Sequence, residues 1–314
     1  MAVKFSTAIG IDFGGTSIKS ALVRDGQILR RGEPIDTQLH RTPDAILAAL
    51  LAVISGLRAD APAAAIGIGL PGLIDSVHGI VHELTNVEGW VDVPLRALMC
   101  DRTGLPVTIE NDANAMAYGE WKHGAARDGT HVICLTLGTG VGGGLILDGR
   151  LYRGAQLGAG EIGHMSIDYR GRRGVYGNLG CLEKYIGNGQ IAERAVERYR
   201  EAGLERSLAQ CTPLELDRAA HAGDAVAVQL WDDLGVELGT ALASVVWLLN
   251  PDTIVIGGGV AKAGELILEP VRRTIRSATI EIIHRDLRIV PAELGNDAGI
   301  IGNAALALES LPAL

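Results

Sequence analysis

A chain of 314 residues with a formal net charge of −9 has the length of about two domains and repels nucleic-acid backbones and anionic lipid. Hydrophobic residues make up 47% of it, which excludes global disorder, and its 42 glycines follow no Gly-X-Y period, which excludes collagen. Cys100, Cys134, Cys181 and Cys211 form no close pair, so a reduced cytoplasmic setting is expected rather than a disulfide framework. The N-terminal segment meets Asp12 before a signal-peptide core is complete, and Ala241 to Leu249 is far below the ~20 residues of a spanning helix. Neither secretion nor a membrane span is expected.

In chain order, Ala8 to Phe13 and Ser17 to Arg24 read as a β-hairpin, with glycines at the first reversal and Asp25-Gly26 at the next. Thr42 can cap a helix that starts at Pro43, and Ile46, Leu47, Leu50, Leu51 and Ile54 repeat at helical spacing, so a helix ending near Gly56 is expected. Ala65 to Leu70 and Val107 to Glu110 are strand candidates, the second running into Asn111-Asp112 and a helix from Ala113 to Trp121. From Thr130 a second block repeats the first: strand Val132 to Leu137, a glycine turn, strand Gly144 to Leu147 and Asp148-Gly149. Asp224 caps a long helix through Leu249, Asn250-Pro251 ends it, and strand Thr253 to Ile256 runs into Gly257-Gly258-Gly259. The repetition indicates an internal duplication.

Glycine turns after strands let backbone N–H groups approach a phosphate. Gly138-x-Gly140-x-x-Gly143 matches the dinucleotide fingerprint by letter, but a strand follows where that site needs a helix, and GGTSIK lacks the P-loop spacing. Asp12, just before the first turn, is placed to hold a hydrated magnesium ion, or else is an ordinary turn aspartate. Asp112 opens a helix whose dipole should keep it ionised, as a base or merely as an N-cap. Glu161, His164 and Glu183 lie in glycine-studded loop sequence suited to a polyhydroxylated ligand. His78 and His82 are four residues apart but not on a helical segment, so no metal pair is assigned to them.

These segments together resemble the ROK family of sugar kinases, within the actin-like ATPase and hexokinase superfamily. IGIDFGGTSIK is similar to its first phosphate motif, IGIGLPGLID to the strand and turn that follow, LTNVEGWVDVPL to the sugar-side loop, and ENDANAMAYGE to the block with the catalytic aspartate. LTLGTGVGGGLILDG resembles the second phosphate motif, GAGEIGH and GCLEKY the sugar segments, NPDTIVIGGGV the adenosine motif, and LGNDAGIIGNAALAL the terminal helix.

The resemblance implies an α/β chain of two actin-like, ribonuclease H-like lobes with a cleft between them: residues 1–118 plus a C-terminal helix at about 298–314, and residues 119–297. It implies transfer of phosphate from ATP to the primary hydroxyl of a hexose, glucose first, with fructose, mannose, allose or an N-acetylhexosamine as alternatives and a non-catalytic sugar-sensing ROK protein as the rival reading. Asp112 would be the general base, and Asn86, Asn111, Glu161, His164 and Glu183 sugar ligands. Gly14, Gly15, Thr16, Lys19, Gly138, Thr139 and Gly140 would face the phosphates, Asp12 would hold Mg²⁺ through water, and Gly258 and Gly259 would lie by adenosine. The homodimer is the expected assembly. Family members that repress transcription add an N-terminal helix-turn-helix; here the phosphate motif starts at about Gly10, so DNA binding is not expected. The family's zinc segment supplies one histidine and three cysteines, of which His164 and Cys181 remain while Gly174 and Tyr176 stand at the other two positions, so no structural zinc is expected.

Overall fold

The computed structural model describes residues 7–40, 42–84, 87 and 89–312. Strands β1 (Ala8–Phe13), β2 (Ser17–Arg24) and β3 (Gln27–Arg31) form an antiparallel meander, and β4 (Ile35–Asp36) adds to β2. Helix α1 (Pro43–Asp60) leads to β5 (Ala65–Leu70), parallel to β1. A small antiparallel sheet of β6 (Leu73–Asp75), β7 (Ile80–Glu83) and β8 (Val91–Val93) and helix α2 (Leu95–Thr103) precede β9 (Val107–Asn111), which is parallel to β5. The large sheet is ordered β3-β2-β1-β5-β9, and helix α3 (Asp112–His123) leaves its last strand.

The second large sheet repeats this plan. Strands β10 (Val132–Leu137), β11 (Val141–Leu147) and β12 (Arg150–Tyr152) form the meander. Helices α4 (Glu183–Ile186), α5 (Asn188–Glu201), α6 (Pro213–His221) and α7 (Ala225–Leu249) lead to β13 (Thr253–Gly257), parallel to β10. Helices α8 (Glu265–Ala278) and α9 (Glu281–His284) precede β14 (Arg288–Pro291), and α10 (Ala298–Glu309) follows it. The order β12-β11-β10-β13-β14 is that of the first sheet element for element. The expected duplication is therefore the architecture of the molecule.

Local chemistry sets the element ends. The Thr42 hydroxyl accepts the Ala45 N–H ahead of Pro43, and the Asp224 carboxylate accepts from Val226 and Ala227. Asn250, at φ 44°, ends α7 in the left-handed conformation before Pro251. Helix α1 continues past Gly56 to Asp60 because Leu57, on its inner face, is buried with Leu50 and Ile54. Likewise β11 begins at Val141, ahead of the expected Gly144. Gly142 and Gly144 are tolerated in that strand because Ala113 and Ala117 of α3 pack against them, and Gly143 because the Gly160 carbonyl lies against it from the other side.

Each sheet has its own core. Ile9, Ile11, Ile66 and Ile68 pack with α1 residues and Trp90 in the first, and Leu135, Ile254 and Ile256 with α7 and α8 residues in the second. Each such aliphatic side chain contributes roughly 1.5–3 kcal/mol on burial. The helices that follow the last strands are exchanged: α3 packs on β10 and β11, whereas α10 packs on β1 and β5. They cross where a Cβ on Gly302 would strike the Ala115 carbonyl and one on Gly119 the Ala298 carbonyl, so only glycine permits the approach. Residue 118, the expected lobe boundary, falls inside α3.

Candidate active site

A cavity of about 510 Å³ lies between the two large sheets, with Asp112 and Asp12 on one side and the Gly257-Gly258 segment on the other. Of the expected residues, Asp12, Lys19, Asp112 and Gly258 line it. Gly258 has φ 88°, and a Cβ there would collide with the Leu137 backbone, so glycine is required.

Asp12 is the next-to-last residue of β1 and pairs across the hairpin with Lys19 of β2. Burial raises its carboxyl above the usual range, the Lys19 ammonium partly offsetting this. The first turn of α10 closes over it, with Gly299 against the carboxyl group. The turn after β1 is held from outside: Thr37, buried, donates its hydroxyl to the Gly15 carbonyl at 2.9 Å and its N–H to Thr16.

Asn111, not Asp112, caps α3, its side-chain oxygen accepting from Ala113 N and Asn114 N at 2.9 and 3.1 Å. Asp112 is the first helical residue and keeps one backbone bond, to Ala113 N at 2.9 Å. The expectation that the helix end would hold it fully ionised is corrected: its carboxyl is pushed up to about 6, first by burial and then by the charge of Asp12. Near neutral pH it is still mainly a carboxylate, now a more basic one. The two carboxylates of Asp12 and Asp112, which repel each other across the cavity, fit a divalent cation whose charge would relieve that repulsion.

Glu161, His164 and Glu183 form the next tier. Glu161 adds its charge to that felt by Asp112 and is itself raised by burial, with His164 opposing and Glu183 reinforcing the shift. The His164 Nε2 lies 3.8 Å from Glu161. The Glu183 carboxylate accepts the Val141 N–H at 3.0 Å just beyond Gly138-Thr139-Gly140, and the Asn188 N–H reaches the Gly138 carbonyl at 2.8 Å, so the second glycine turn is tied to the segment around α4. The expected loops are partly helical here: Ile162–His164 is a 3₁₀ turn and Glu183 opens α4. Asn86 lies outside the described residues. His78 and His82, to which no metal pair is assigned, pair with carboxylates instead, His78 with Asp75 at 2.7 Å and His82 with Asp92 at 2.6 Å.

The donor set around His164 does not fit a tetrahedral zinc site. His164 Nδ1 is buried without a hydrogen-bond partner among the described residues, and Cys181 is buried nearby. Gly174 brings no side chain, and Tyr176 meets the imidazole with its ring edge, centroids 5.0 Å apart. Asn178 bridges the loop instead, donating its side-chain amide to the His164 carbonyl at 2.8 Å while its backbone carbonyl takes the Gly174 N–H. Arg172 joins the same loop to Tyr185 and, at 3.9 Å, to Glu197.

Sequence reasoning did not single out Thr136, Met116, Lys262 or Asn296, all of which line the cavity. Lys262 follows the Gly258-Gly259 turn and Asn296 precedes α10, so proximity to quoted motifs was the available signal.

The two-lobed arrangement is the actin-like ATPase fold, and the chain belongs to the ROK family, whose model matches residues 8–310. The glucokinase of Streptomyces coelicolor is 35% identical over 97% of this chain and 98% of its own length. The crystal structure of a ROK family glucokinase from Streptomyces griseus with glucose and AMPPNP is 34% identical, with a TM-score of 0.81 over 97% of this chain and 100% of that one. The xylose repressor of Bacillus subtilis is 30% identical over 78% of this chain and 61% of its own.

Proposed function

We propose that the protein is an ATP-dependent hexose kinase that phosphorylates a primary hydroxyl, with glucose as the first substrate to test. The observation that carries this is Asp112: a buried carboxylate at the start of α3, facing a cavity that Asp12 and Lys19 also line, with the Gly257-Gly258 turn on its other side. A sugar sensor without catalysis would have no use for such a base. The glucokinase relatives put glucose first, while the Asn111, Glu161, His164 and Glu183 set would hold fructose, mannose, allose or an N-acetylhexosamine in much the same way.

Asn111, Glu161, His164 and Glu183 orient the sugar by hydrogen bonds to its hydroxyls, with Asn86 a further candidate ligand. Asp112 accepts the proton of the attacking hydroxyl as its oxygen bonds to the γ-phosphorus of ATP and the bond to the ADP oxygen breaks. Gly14, Gly15, Thr16, Gly138, Thr139 and Gly140 supply backbone N–H groups near the phosphates, and Lys19 adds a cation. Gly258 and Gly259 leave room for the adenosine. Magnesium, held through water by Asp12, would supply charge neutralisation on the phosphates. Closure of the first-sheet lobe on the second excludes water, which limits ATP hydrolysis.

The test is a panel of these hexoses with ATP and Mg²⁺ in a coupled ADP-release assay. Glucose-dependent ADP release is expected; release with no hexose on the panel would overturn the reading.

A further inference from the structure

The carboxylate of Glu110 is buried two residues before Asp112 and is fully engaged. Its Oε1 accepts the Asn111 N–H at 3.0 Å and the Asn114 side-chain amide at 3.1 Å, fastening it to the first turn of α3. Its Oε2 receives both Nε and Nη2 of Arg153 at 2.7 Å. Glu110 belongs to β9 of the first sheet, whereas Arg153 directly follows β12 of the second. The pair is thus an ionic bridge between the two halves of the duplication.

Arg153 also opens the segment that delivers Glu161. Its carbonyl accepts the Ala159 N–H at 2.9 Å, closing the intervening turn, and Gly160 then packs its carbonyl over Gly143. Two residues from Glu110 is Asp112, eight from Arg153 is Glu161, and these two carboxylates feel each other's charge. A forked guanidinium on a buried carboxylate is a directional link that a lysine point charge does not reproduce.

We infer that Glu110 and Arg153 are positioning residues for sugar capture, fixing the Asn111-Asp112 segment relative to the Glu161 loop. The inference rests on the hexose-kinase reading and adds to it the residues that set the geometry of the sugar subsite. The bridge lies away from the Gly258, Lys262 and Asn296 wall, so its loss should be read in the sugar and not in the nucleotide.

The experiment compares Arg153→Met, Arg153→Lys and the double variant Glu110→Gln/Arg153→Met in the full chain, measuring Tm and the KM values for glucose and ATP. Arg153→Met should raise the glucose KM at least about tenfold with the ATP KM within about twofold, and Arg153→Lys should recover part of the loss. Arg153→Met leaves a buried carboxylate unpaired and should lower Tm; the double variant removes that charge and should regain Tm while its glucose KM stays high. A double variant that regains the wild-type glucose KM together with Tm would show a merely structural pair, and a wild-type glucose KM in Arg153→Met would overturn the inference outright. A wild-type chain inactive with ATP and every hexose tested would overturn the kinase reading instead.

Discussion

The tripeptide Asn-Asp-Ala occurs at corresponding places in the two halves: residues 111–113 where β9 gives way to α3, and 296–298 where β14 gives way to α10. The two aspartates have opposite fates. Asp112 is buried with no cation bonded to it among the described residues and is pushed up to about 6, whereas Asp297 is clasped by both terminal nitrogens of Arg31 at 2.8 Å and held below the usual carboxylate range. A similar divergence separates the hairpins, where Asp12 faces Lys19 in one half and Thr136 faces Gly142 in the other. Duplication supplied the frame twice; burial and neighbouring charge raised the carboxyl of only one copy, the one proposed as the base.

The largest expected effect sharpens this contrast. Asp112→Asn should lower kcat by about 10²- to 10⁴-fold while leaving sugar affinity within a few-fold, because an amide keeps the shape but accepts no proton. Asp297→Asn, the same change in the other half, should leave kcat within a few-fold. Steady-state kinetics of the two variants side by side check both, and equal losses would break the contrast.

Next in size are the carboxylates of the second tier. Glu161→Ala or Glu183→Ala should weaken glucose binding by roughly 1.5–3 kcal/mol, as for hydrogen bonds to charged groups, with little change in ATP affinity. Calorimetry with each ligand reads the split, and lost ATP binding with intact glucose binding would reverse the assignment of the two walls.

Stability should show the same asymmetry between the halves. Asp112 is harder to ionise folded than unfolded, so its ionisation removes stability as pH rises from the usual 3.8 to about 6. Asp112→Asn escapes this, and its stability relative to the wild type should rise by on the order of 1 kcal/mol between pH 5 and 8 in ligand-free protein. Asp297 has the opposite sign: its pairing contributes above pH 3.8 and is lost as pH falls through the depressed value. Because that pair is partly exposed, Asp297→Asn should cost no more than about 1 kcal/mol at neutral pH. Denaturant unfolding followed from pH 8 down to below 3.8 measures both slopes, that of Asp112 between pH 8 and 5 and that of Asp297 below 3.8, and slopes of the same sign would refute the comparison.

Much of the frame is legible in the chain itself. Ala8–Phe13, Ser17–Arg24, Ala65–Leu70 and Val132–Leu137 are strands as their apolar runs and glycine or Asp-Gly stops dictate, and Thr42 and Asp224 cap the helices they announce. What a linear reading misses is decided by partners distant in sequence. Gly142 and Gly144 of β11 are strand because α3 lies on them, and the exchange of α3 and α10 leaves no local mark. Asp112 is recognisable as a candidate base by its place at the start of a helix, but its raised carboxyl comes from burial and then from Asp12, a hundred residues away. Lys262 and Asn296 reach the cavity by way of backbone turns, and Arg153 meets Glu110 across 43 residues.

The most direct test of Asp112 as the base of a hexose kinase is the pH dependence of kcat/KM for glucose, measured at low concentrations of both substrates so that the free enzyme is reported. Glucose-dependent ADP release should fall on the acid side with an apparent pKa near 6, and Asp112→Asn should abolish that limb with the activity. A wild-type profile that stays flat down to pH 4.5, or an Asp112→Asn variant with the wild-type rate, would contradict the account.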